Sequence, residues 1–193
     1  MTLQQGTYPI VYDVDTPEIL SRWKWLIKWI LVIPQVIVVG ILGFVAMIAV
    51  FIAWWVILFT GRYPRGLFDF VVKVMRWNYR INGYSSHYTD RYPGFSMDEM
   101  PQYPVRLTVP YPERSSRLTV FFRWFLAIPH FIILGILGYV IGLVWLAHIL
   151  IVLFTGNPNA DVFRFLVGYS RWSARVSMYL FLTTDRYPPF AFS

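Results

Sequence analysis

The stretch Trp29–Gly61, WILVIPQVIVVGILGFVAMIAVFIAWWVILFTG, decides how this chain must be read. It runs for 33 residues without Asp, Glu, Lys or Arg. A second stretch, Trp124–Ala160, runs for 37, with His130 and His148 as its titratable groups. A membrane-spanning helix needs about 20 apolar residues, whereas about 10–14 would suit the core helix of a soluble domain. Both stretches exceed the membrane length. The composition agrees: the chain is 57% hydrophobic and 14% charged, against about 45–50% and about 25% for soluble domains. A disordered tail and a polar solenoid are excluded, and a water-soluble enzyme is disfavoured. With no Cys, disulfide frameworks, thiolate metal sites and thiol nucleophiles are excluded too. The segment Met1–Leu20 carries Asp13, Asp15 and Glu18. It lacks the basic and apolar regions of a signal peptide.

Outward from these stretches, the chain is one unit written twice. At an offset of 95, residues 8–95 align with 103–190 without gaps, with 34 identities in 88 pairs. Gly40-Ile41-Leu42-Gly43 matches Gly135-Ile136-Leu137-Gly138, and Leu58-Phe59-Thr60-Gly61 matches Leu153-Phe154-Thr155-Gly156. Thr89-Asp90-Arg91-Tyr92-Pro93 matches Thr184-Asp185-Arg186-Tyr187-Pro188. The reading is therefore membrane repeat 1 at 8–95, a polar linker at 96–102 and membrane repeat 2 at 103–190. Two copies imply a pseudo-two-fold dimer in one chain rather than an open solenoid. Each unit opens with an alternating segment, Tyr8–Val14 or Tyr103–Val109. Alternation argues for strands, and the two strands can pair across the pseudo-two-fold axis.

The fold class expected is an all-α membrane protein with a small cytoplasmic β element. Each repeat is read as a short transmembrane helical hairpin followed by an amphipathic interfacial helix. One helix of 33 residues would run about 50 Å, against a hydrocarbon core of about 30 Å, so two arrangements stand. In the hairpin, Trp23–Val39 and Phe44–Thr60 are joined at Gly40–Gly43. In the single span, everything before Pro34 lies in the interface and Val36–Phe59 crosses alone. Lys and Arg favour the cytoplasmic side. The hairpin places all 17 basic residues there, while the single span divides them, so the charge pattern favours the hairpin. Gly40, Gly43, Gly135 and Gly138 then serve as turns, or as small residues that let helices approach closely. Localisation follows: the cytoplasmic membrane, multi-pass, with both termini cytoplasmic.

After each apolar stretch a helix is expected, at about 67–81 and 162–176. Asp69, Lys73, Arg76 and Arg80 share one polar stripe, as do Arg164, Gly168, Arg171 and Arg175. A basic helix of this kind suits the membrane surface. Arg76, Arg80, Arg171 and Arg175 are candidates for phosphates of anionic phospholipid, with positive-inside anchoring as the plainer account. The tryptophans Trp23, Trp25, Trp29, Trp54, Trp55 and Trp124 fit interfacial belts.

Candidate chemistry is sparse. His130 and His148 are intramembrane ionisable groups, and paired His can ligate haem. Their distances from the expected turn differ, and repeat 1 has Gln35 and Ala53 at these positions, so neutral hydrogen-bonded histidines are expected and no cofactor. Asp90 and Asp185 are expected to cap turns and to pair with Arg80 and Arg175 or their neighbours. Phosphate-binding loops, zinc-protease helices and nucleophile elbows are missing, and no nucleic-acid partner is indicated.

The duplicated pattern W…IP…GILG…LFTG…RW…R…TDRYPPF resembles an uncharacterised bacterial family, domain of unknown function 4389. Trp29, Pro34, Phe59-Thr60-Gly61, Arg76 and Thr89–Phe95 carry the match in the first copy. Trp124, Pro129, Phe154-Thr155-Gly156, Arg171 and Thr184–Phe190 carry it in the second. The resemblance implies a bacterial integral membrane protein and transfers no activity or catalytic residue. The function expected is non-enzymatic, as an accessory or scaffold subunit beside other membrane subunits. A lipid- or amphiphile-binding protein is the alternative, and a haem-binding subunit is the remote third.

Overall fold

The computed structural model describes residues 8–17 and 19–192. Residues 1–7 of the N-terminal segment, Glu18 and Ser193 lie outside the described residues. In chain order the elements are β1 (Val11–Val14), α1 (Lys24–Thr60), α2 (Arg65–Ser85), β2 (Val105–Thr108), α3 (Arg117–Thr155) and α4 (Ala160–Leu180). The two copies thus repeat a strand, a long helix and a helix of 21 residues.

The expected hairpin does not form. The helix α1 runs unbroken for 37 residues through Gly40–Gly43, and α3 for 39 through Gly135–Gly138. Positive φ among glycines occurs at Gly61, Gly94 and Gly156, not at these four. The physical reason is backbone satisfaction. A turn at Gly-Ile-Leu-Gly would strip intrahelical bonds from several amides among apolar side chains, with no Ser, Asn or Asp to replace them. Leaving a glycine helical costs only about 1 kcal/mol. The helices stop instead at Gly61 and Gly156, whose left-handed φ of 70° and 77° close the last turn. Their amides bond to Ile57 O and Val152 O, each at 2.8 Å.

The strands pair as the alternation suggests. β1 and β2 form a two-stranded antiparallel sheet with Tyr12 opposite Leu107. These two residues are repeat counterparts, so the pseudo-two-fold axis passes through their pair. The long helices obey the same axis. Trp29 meets Trp145, and Trp54 lies beside Phe121, so α1 and α3 run antiparallel, side by side. The Ser115 amide bonds Gly61 O and the Leu20 amide bonds Gly156 O, tying the start of each long helix to the end of the other.

α2 and α4 form a middle layer, packed on both faces, so neither carries the free apolar face expected of a helix lying alone on a membrane surface. On one face of α2, Trp77 Nε1 donates to Gln35 Oε1 of α1 at 3.4 Å. On the opposite face, Gly83 lets β2 approach so closely that a Cβ there would stand 2.5 Å from Val105 Cγ2. The core joins both halves: Ala46, Ala49, Ala53 and Ile57 pack with Phe68, Val71, Phe163 and Leu166. Three layers result, with the sheet on one side and the long helices on the other.

Candidate functional site

The polar layer is built on the sheet. Arg76 Nε donates to Leu107 O at 3.1 Å, and Arg171 Nε donates to Tyr12 O at 3.0 Å. Arg80 donates to Ser96 O at 2.5 Å, and Arg175 reaches Ala191 O at 3.5 Å. Arg80 and Arg175 are buried. The four arginines proposed from sequence for lipid phosphate therefore latch the middle helices to the strands and to the segments that follow each repeat. Outside them, Arg106 pairs with Asp13 at 2.7 Å and Asp15 at 2.5 Å. These hydrogen bonds hold the Asp15 carboxyl below its ordinary range.

A second polar set anchors the long helices. Lys28 pairs with Asp90 at 2.8 Å, and Arg123 with Asp185 at 2.7 Å. Each carboxylate also accepts a backbone amide at the foot of its own repeat's long helix, Ser21 N or Ser116 N, both at 2.6 Å. The repeated Thr-Asp-Arg-Tyr-Pro segment is thus a clamp on the helix start. Arg80 and Arg175 are not the partners of these carboxylates, because they face the sheet, away from the long helices. Lys28 and Arg123 are both buried. The signal for a buried pair was present: 28 and 123 are counterparts, as are 90 and 185, and both pairs keep opposite charge. Burial alone would raise the Asp90 carboxyl, but the Lys28 ammonium and the Ser21 amide override it and hold it below the usual range.

His130 and His148 do not share a site. His130 Nδ1 accepts from Trp172 Nε1 at 3.0 Å and stacks on Phe190 at 4.0 Å between centroids. Its counterpart Gln35 accepts from Trp77 in the same way. His148 Nε2 lies 3.3 Å from His87 O. His87, which sequence reading passed over, is buried with Nδ1 2.8 Å from Lys28 Nζ. Burial, reinforced by that ammonium, pushes it down to about 4. Among the described residues, no group of three or more His, Asp or Glu is arranged to hold a metal.

The outer faces of the two long helices are apolar. On α1 the buried residues Lys28, Val32, Gln35, Val39, Ala46, Ala49, Ala53 and Ile57 occupy one stripe. From Trp29 to Phe59 every exposed side chain is apolar, including Ile37, Ile41, Phe44 and Phe51. On α3, Phe125, Ile132, Ile136, Leu143 and Phe154 continue the pattern. Both helices are long and apolar enough to cross a membrane. Gly40 and Gly43 have no neighbour within 4 Å of a Cβ position, whereas that of Gly138 is 3.5 Å from the Tyr169 hydroxyl. A groove of about 670 Å³ opens between α1 and α2, lined by Trp29, Val36, Gly40, Gly43, Asn78 and Asn82 among others. Tyr169, the counterpart of Val74, donates to Leu134 O at 3.2 Å in the corresponding space of repeat 2.

Comparison with the curated proteins and with the solved structures finds no match for this chain. The family model described as Domain of unknown function (DUF4389) matches residues 22–97 and again 117–191. Those spans hold both long helices, both middle helices and both aspartate clamps. The chain belongs to the DUF4389 family and carries two tandem copies of its domain.

Proposed function

We infer that the protein is a non-enzymatic membrane protein that serves as an accessory or scaffold subunit within a larger membrane assembly. The observation that carries this reading is the pair of unbroken apolar faces on α1 and α3, set opposite a charged layer whose members bond to one another. Apolar surface on this scale marks contact with lipid or with another apolar partner. The groups best suited to chemistry already have internal tasks: Lys28 and Arg123 hold aspartates, and His130 takes the Trp172 proton donor. Native purification in mild detergent tests the reading. A partner protein in fixed stoichiometry is the expected result, and a lone chain would overturn it.

The groove beside Gly40 supports a second reading, that the protein holds one amphiphile. Its volume falls in the ligand-pocket range of about 300–1,000 Å³, and its apolar wall meets Asn78 and Asn82. Val74→Tyr copies the residue that stands in repeat 2. It is expected to remove about one phospholipid per chain from the purified protein, as read by lipid extraction and phosphorus assay. Equal phospholipid in variant and parent would defeat this reading.

A further inference from the structure

We propose that α1 and α3 lie in the plane of the membrane within one leaflet, with the sheet layer facing water, and do not cross. The proposal rests on the membrane reading above and specifies its geometry. A crossing helix requires a slab about 30 Å thick, perpendicular to its axis, in which the whole molecule shows no exposed charge. Among the described residues no such slab exists. The pseudo-two-fold axis runs through the Tyr12–Leu107 pair. Because Trp29 faces Trp145, the same axis passes between the long helices near Gly40 and Gly135, close to their midpoints. The sheet therefore sits over the middle of α1 and α3. If these helices stood upright, Asp13, Asp15 and Arg106 would lie at the centre of the bilayer. Their side chains are 50%, 54% and 30% exposed. Asp69, Lys73 and Glu99, also exposed, would lie within the hydrocarbon as well.

Laid flat, the molecule meets no such conflict. The pseudo-two-fold axis then coincides with the membrane normal, so both copies sit at one depth. The apolar arcs of α1 and α3 enter the acyl region, and the paired polar layer stays in water. Arg22, Lys24, Arg62 and Arg117 stand at the ends of the two long helices, where they meet headgroups of the same leaflet. A helix about 10–12 Å across fits within a single leaflet. The occupant of the apolar face is thus the acyl layer of one anionic leaflet.

The native chain has no cysteine, so single substitutions report cleanly. Lys24→Cys, Arg62→Cys, Glu99→Cys and Ile41→Cys are probed with a membrane-impermeant maleimide in right-side-out and inverted vesicles of the expressing cells. The first three are expected to label from one and the same side, and Ile41→Cys from neither. Labelling of Lys24→Cys and Arg62→Cys from opposite sides would overturn the proposal in favour of crossing. Labelling of Ile41→Cys from the face opposite Glu99→Cys would overturn it in favour of a hairpin. Recovery of the protein in the soluble fraction, with Ile41→Cys reactive there, would defeat the membrane reading itself. Polarised infrared spectroscopy of the unmodified chain in oriented bilayers gives an independent check. Helix axes parallel to the membrane plane are expected, and axes along the normal would overturn the proposal.

Discussion

At the scale of single residues, two buried ion pairs stabilise the starts of the long helices. Removing one partner of such a pair leaves a charge without compensation and costs about 3–5 kcal/mol. Arg123→Met and Asp185→Asn are each expected to lower the melting temperature in detergent, and the double variant to lower it by less than the sum. Additive effects in this double-mutant cycle would refute coupling. His87 contributes to the pH response. The folded group titrates at about 4, whereas an unfolded histidine titrates near 6.5. As pH falls through that window the unfolded chain binds a proton that the folded chain refuses, so stability declines. Asp90 adds to the loss in more acid solution, because its carboxyl is held below the usual range when folded. His87→Leu copies Leu182, which shares its φ of 66°. It is expected to make the fall in melting temperature between about pH 6.5 and 4.5 shallower. None of this was legible in His87 itself, which sits in a polar segment with no periodic partner. Its environment is assembled from α1, the end of α2 and His148 of the other repeat.

At the scale of elements, the strands and the two helices of 21 residues could be placed from periodicity and repetition, whereas each long helix was split in two. What failed was the inference from glycine to turn. Helical glycines are silent in composition, and the choice depends on whether neighbouring groups offer replacement hydrogen bonds. Gly40→Ala is therefore expected to be neutral, or stabilising by up to about 1 kcal/mol, since nothing crowds its Cβ position. Gly83→Ala is expected to cost about 1–3 kcal/mol by overpacking, because Val105 stands against it. Circular-dichroism melts of the two variants compare these directly. A cooperative loss in Gly40→Ala equal to that in Gly83→Ala would argue for a turn at Gly40. The arginine stripes were equally deceptive. An amphipathic pattern shows that a helix has a polar face, but not whether that face meets water, headgroups or the edge of a sheet. Here Arg76 and Arg171 each meet a strand carbonyl of the opposite copy's neighbourhood.

At the scale of the whole molecule, the duplication was plain in the sequence, and it left the cross-pairing of the strands as a possibility that the structure realises. The stacking order of the layers was not, because it depends on which faces of α2 and α4 turn toward which neighbours. Expressed alone, residues 1–100 would present β1 with an unmatched edge, and are expected to self-associate in detergent. A monodisperse monomer on size exclusion would contradict the role given to the strand pair. Residue 12 facing its own counterpart has one more result. Two separate but identical chains could reach this arrangement too, yet every change in one flank would then appear in the other. Joined end to end, the flanks are free to differ: histidines 87 and 148 belong to one side, and the tyrosine at 169 closes a space that the valine at 74 leaves open. Covalent linkage thus turns a symmetric body into one with a left and a right.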